Sequence, residues 1–181
     1  MQPQRYALVA YVKSPVGSFI QRLRQEIHPN LPHLPAHLTI LPPRQLQGSE
    51  LSALQTIEDL CGHSDPFEVE LGDVETFVPV TPTVFIRVAE GAYRMRELHD
   101  HVNTGALAAA EEWPYMPHLT IVKISSEELA QQAYLLARDR WAEFAGSRKI
   151  SVKELTFVRE EGLNRWADLA CLPLGPHLVN R

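Results

Sequence analysis

The tetrapeptide His37-Leu38-Thr39-Ile40 returns as His118-Leu119-Thr120-Ile121, 81 positions further on in a chain of 181 residues. Each copy contains the β-branched residues Thr and Ile, which suits an extended strand. In a strand, successive side chains point to opposite faces. Each copy therefore carries a His and a Thr on one face, and Leu with Ile on the other. Two such strands brought together would surround one small space with two imidazoles and two hydroxyls. A chain that does this must fold so that its two halves meet at their motifs.

The flanking patterns repeat as well. Residues 6–12 read as a buried strand. Ser14-Pro15 reads as a helix start, with Val16, Phe19, Ile20, Leu23 and Ile27 at helical spacing. Pro29, Pro32 and Pro35 end that helix before the first motif strand. Ser49 opens a second helix carrying Leu54, Ile57 and Cys61, and residues 67–77 alternate as a strand. The second half replays the order: a strand at 83–88, a helix over 91–105, the second motif strand, a helix capped by Ser125 and Glu128, and strands over 150–158 and 166–172. Strand, helix, motif strand, helix, strand thus occurs twice, over about 5–79 and about 83–174, with a short tail at 175–181.

This arrangement resembles the 2H phosphoesterase superfamily, whose members carry two His-x-Thr/Ser-x motifs. Its best-known branch comprises the 2′-5′ RNA ligases, also described as RNA 2′,3′-cyclic phosphodiesterases. The resemblance implies an α+β fold of two pseudo-twofold-related lobes in a single domain. Each lobe would be a mainly antiparallel sheet with helices on its outer face, and the active-site cleft would lie between them. In the RNA ligase branch an aromatic and Leu-Gly usually follow the first motif. Here Leu41-Pro42-Pro43-Arg44 stands instead, which leaves the substrate open.

Bulk properties narrow the function. No apolar run approaches the ~20 residues of a membrane helix. The N-terminus lacks a signal-peptide pattern, so the expected location is the cytoplasm. Cys61 and Cys171 lie in apolar contexts without metal spacing and read as buried free thiols. A formal net charge of −5 argues against tight, nonspecific nucleic-acid binding. It leaves room for a cyclic-phosphate nucleotide or an RNA end held at a few points. The expected state is a monomer without a cofactor.

The chemistry follows from the residue types. Opening a 2′,3′-cyclic phosphate requires a base for the attacking water and an acid for the leaving ribose oxygen. Histidine, with an ordinary pKa of about 6.5, suits both roles. The candidate catalytic residues are His37 and His118, with Thr39 and Thr120 holding nonbridging oxygens. Run backwards, the same site would form a 2′-5′ linkage. Lys123 and Arg44 are candidate phosphate ligands, and several members of the RNA ligase family carry a basic residue where Lys123 stands. Tyr115, Phe77 and Trp166 are aromatics able to stack on a base, with Tyr115 the first choice. His33 and His177 stand in Pro-His-Leu without the Thr, and His99 and His101 point apart on a helix. Two other readings stay open: a nucleotide- or RNA-binding module with little turnover, and a phosphoesterase for a non-RNA substrate such as ADP-ribose 1″,2″-cyclic phosphate.

Overall fold

The structure is a computed structural model describing residues 3–30 and 34–176. His33 and His177 lie outside the described residues.

Eight strands form one sheet: β1 (Tyr6–Tyr11), β2 (His37–Arg44), β3 (Phe67–Thr76), β4 (Thr83–Glu90), β5 (His118–Lys123), β6 (Lys149–Val152), β7 (Glu154–Gly162) and β8 (Arg165–Pro173). Among the described residues the α-helices are α1 (Pro15–Ile27), α2 (Glu50–Gly62), α3 (Ala92–Val102) and α4 (Glu127–Glu143). The strand order is β6-β3-β4-β5-β2-β1-β7-β8, and every pairing is antiparallel. The two motif strands therefore lie side by side at the centre. They are joined by one residue pair, Leu38 opposite Leu119. On either side of this seam lies a four-stranded lobe, as an α+β fold with two related lobes requires.

The lobes exchange strands. β3 follows α2 in the chain but pairs with β4, and β7 follows α4 but pairs with β1. Neither lobe can form from one half of the chain alone. One face of the sheet is covered by the helices. Leu8, Leu38, Ile40, Ile86 and Leu119 pack there against Ile20, Ile57, Met95 and Ala133. Leu38 and Leu119 are fully buried, each contributing about 1.5–3 kcal/mol. The seam is thus anchored from the core side, and the opposite face carries the motif side chains.

Several local expectations are corrected. The residues 150–158 are two strands, broken at Lys153 where the chain crosses from β6 to β7. The cap of α4 is Ser126, which accepts from the Leu129 N–H at 3.2 Å, not Ser125. Ser14 occupies the N-cap of α1 but makes no side-chain cap bond. Gly17 matters more there. A Cβ on it would stand 2.1 Å from the Val12 carbonyl, so glycine lets α1 dock against the end of β1. Cys61 is buried, which pushes its thiol up to about 12, whereas Cys171 is exposed rather than buried.

Candidate active site

The single seam pair fixes the register of the four motif side chains. With Leu38 opposite Leu119, His37 stands opposite Thr120 and Thr39 opposite His118. All four share the face away from the core. The histidines occupy one diagonal of this rectangle and the threonines the other. Diagonal neighbours across an antiparallel pair have Cβ atoms roughly 7 Å apart. That spacing admits one phosphate between two imidazoles.

Both rings are held alike. His37 Nδ1–H donates to the Pro35 carbonyl at 2.7 Å, and His118 Nδ1–H donates to the Met116 carbonyl at 2.7 Å. In each case the acceptor lies two residues upstream. A carbonyl only accepts, so Nδ1 carries the proton and Nε2 is the open nitrogen of each ring. Burial lowers both pKa values from the ordinary histidine range. The charges of Arg24 and the other imidazole add to this at His37, and Arg87 adds to it at His118, while the backbone bonds oppose it. Two imidazoles that resist protonation when empty, and that gain a proton readily beside an anion, suit a phosphate site.

The strands diverge on both sides of the seam pair, and two side chains serve the motif carbonyls exposed there. The Arg24 guanidinium donates to Thr120 O at 2.8 Å, to Ile121 O at 2.7 Å and to Leu34 O. Burial lowers its pKa to about 10. On the other flank Tyr115 Oη donates to Thr39 O at 2.8 Å, and its ring stacks on His99 at 4.1 Å. Tyr115 is thus placed as a strap on the first motif. It does not line the cleft as a base-stacking surface would.

Arg44 is also placed elsewhere than expected. Its side chain is buried, donating to Asn103 Oδ1 at 2.7 Å and Leu107 O at 3.0 Å, with Glu111 at 3.4 Å. It pins the 103–111 loop to β2 on the core side, so no phosphate meets it in this arrangement. Lys123 is exposed and does line the cleft. Simple alternation would turn it away from Thr120. A bulge between Thr120 and Val122 shifts the register against β4 by one residue and returns it to the motif face. A matching bulge follows Thr39, between Thr39 and Leu41. Pro42 and Pro43 fit there because the β5 side of β2 is unpaired beyond Leu38.

The motif face opens into a cleft of about 1020 Å³. His37, Thr39, Thr120 and Lys123 line it together with residues of β1, β7, β8 and α1. Trp166 is among them. Phe77 instead packs edge-on against the His118 ring at 5.3 Å. Three residues near the motifs escaped the sequence reading. Arg24 interrupts the apolar stripe of α1, four positions after Ile20, and that break was the available signal. Arg87 lies opposite His118, and Tyr11 lies opposite His37. Both alternate in register with residues of the motif face, but only the pairing partners reveal it.

The sequence profile of the 2′-5′ RNA ligase superfamily matches residues 12–164, a span containing both motifs. The chain belongs to that superfamily. Among its relatives, a candidate phosphoesterase of Halalkalibacterium halodurans is 28% identical over 127 residues, covering 69% of this chain and 74% of the relative. One from Bacillus cereus is 28% identical over 141 residues, covering 77% of this chain and 80% of the relative. The fold recurs in solved structures. The TT0787 protein of Thermus thermophilus superposes with a TM-score of 0.69 at 18% identity, over 96% of this chain and 100% of that one. Escherichia coli LigT complexed with 3′-AMP gives 0.62 at 16% identity, over 96% and 99%. At such identities the superpositions speak for the fold, and chemistry must be argued from the site.

Proposed function

We propose that this chain is a phosphoesterase that opens a 2′,3′-cyclic phosphate of a nucleotide or RNA end without a metal. The observation that carries the reading is the matched pair of imidazoles. Each holds its Nδ1–H on a backbone carbonyl, and the two stand on one diagonal of the seam with a Thr beside each, a spacing that suits one phosphate between them.

In the proposed reaction the neutral imidazole takes a proton from water through Nε2 as the water oxygen bonds to phosphorus. The bond to one ribose oxygen breaks on the far side. The protonated imidazole gives that oxygen its proton. The ring that began neutral ends protonated and the other ends neutral, so a proton exchange with solvent resets the site. Such proton transfers typically contribute about 10²–10⁴-fold each. The Thr39 and Thr120 hydroxyls donate to nonbridging oxygens as charge builds there, and Lys123 adds a positive charge at the rim. With a ribose hydroxyl in place of water, the same steps join two chains by a 2′-5′ linkage.

The test is turnover of nucleoside 2′,3′-cyclic phosphates and of an oligonucleotide ending in one, compared among wild type, His37→Ala and His118→Ala. Wild type should open the ring and each variant should lose most of that activity. Rapid opening of ADP-ribose 1″,2″-cyclic phosphate with none of the nucleoside compounds would move the substrate outside RNA. Tight binding without product would indicate a binding module.

A further inference from the structure

The two lobes are pseudo-symmetric in backbone, but their motif faces are furnished differently. In the second lobe the face is filled. Phe85 stands opposite Thr120 and stacks on Phe77 with ring centres 4.0 Å apart. Both rings pack edge-on against His118, at 5.2 and 5.3 Å. Beside them Arg87 is tied to Glu75 and to Met116 Sδ. In the first lobe the residue matching Phe85 is Val9, opposite Thr39. Ala7 and Val158 extend it into a patch of small side chains separate from the main core.

These small residues leave room for two rings to lie over them. Tyr11, opposite His37, reaches past β7 to donate from its hydroxyl to Asp168 Oδ1 on β8 at 2.5 Å. That bond lays the phenol along the sheet. Trp166 packs on the same patch. Both rings are half-buried and line the cleft, while Phe77 and Phe85 do not. The cleft therefore runs from the motifs over the first lobe.

Resting on the phosphoester reading above, we propose that Tyr11 and Trp166 form the platform on which the heterocyclic base of the substrate stacks. Every base has a π-face, so a platform of rings accepts a base with little regard to its identity. Asp168 and Asn164 stand at the rim of the cleft, where they meet the polar edges of a base. The nucleoside then lies on the His37 side of the phosphate. The His118 side, against which Phe77 and Phe85 pack, is left to the nucleophile.

The experiment is calorimetric titration of the whole chain with adenosine 2′-monophosphate and, separately, with inorganic phosphate. Wild type should bind the nucleotide more tightly than phosphate. Trp166→Leu should weaken nucleotide binding by roughly 5- to 150-fold, the range expected for one stacked base, and leave phosphate binding within twofold. Trp166→Phe should retain most of the nucleotide affinity. The unmutated fold offers an independent reading: Trp166 emission, assigned by difference against Trp166→Phe, should be quenched by the nucleotide and not by phosphate. Unchanged nucleotide affinity in Trp166→Leu, or absence of that quenching, overturns the platform. If quenching is present but no cyclic phosphate is opened, the platform stands and the phosphoesterase reading fails. If cyclic phosphate is opened without quenching, the reverse holds.

Discussion

The Tyr115 hydroxyl donates to the Thr39 carbonyl at 2.8 Å, so a residue of the second half-chain holds the motif strand of the first. Tyr115→Phe keeps the ring on His99 and removes only this donor. The expected loss of stability is about 1 kcal/mol, read as a lower denaturant midpoint at unchanged slope. Turnover should fall more than substrate affinity, because Thr39 loses its position rather than its hydroxyl. An unchanged kcat would show that Thr39 is placed by other contacts.

Arg24 acts on the other flank, through three carbonyls at once. Arg24→Met fills similar space but leaves Thr120 O, Ile121 O and Leu34 O without this donor. Hydrogen bonds from charged donors are worth about 1.5–3 kcal/mol each and do not add fully. A destabilisation of about 3 kcal/mol is expected in chemical denaturation. Loss below 0.5 kcal/mol would mean that water replaces the guanidinium.

Both imidazoles have pKa values lowered by burial. If one must be neutral and the other protonated, kcat/KM should trace a bell whose maximum lies below about pH 6.5, where free histidine titrates. The stability sign follows from the same shift. Near and below pH 6.5 the unfolded chain binds more protons than the folded one, so stability should decline as pH falls from 6.5 through the lowered folded values. Inorganic phosphate, which favours the imidazolium, should lessen that decline. A pH–rate maximum above 7.5 would contradict the assignment.

The two histidines should behave as one unit. His37→Ala and His118→Ala should each remove most turnover, and the double variant should lose little more. Among the described residues no group of three or more His, Cys, Asp or Glu side chains is placed to hold a metal ion, so activity should survive EDTA. Strong inhibition by the chelator, restored by a divalent cation, would require a metal-assisted step instead.

The product distinguishes which ribose oxygen departs. If the base is seated over the first lobe, His37 would stand on the ribose side and would give the departing oxygen its proton. Departure of the 3′ oxygen leaves a 2′-phosphate, and this is the expected product by phosphorus NMR. A 3′-phosphate as sole product would show the ribose seated the other way round.

The doubled His-x-Thr motif, its strand setting and the alternation of helices and strands were legible in the sequence because periodicity is local. So was the sharing of one face by His37 and Thr39, since alternation along a strand depends on nothing else. What surrounds the motifs depended on pairing between distant strands. Arg44 and Lys123 were equal candidates as basic residues near a motif, yet Arg44 is buried against Asn103 and Lys123 lines the cleft. The difference at Lys123 lies in one bulge against β4, which reverses the face of every residue after it. Among the aromatics the sequence favoured Tyr115 over Trp166, and the structure reverses that order. Only the seam between β2 and β5 made the first a strap, and only the small residues on β1 and β7 placed the second over the cleft. Sequence determined what each strand presents. The strand exchange between lobes, with its register and bulges, decided what each presented side chain meets, because those contacts are made between segments that the chain itself keeps far apart.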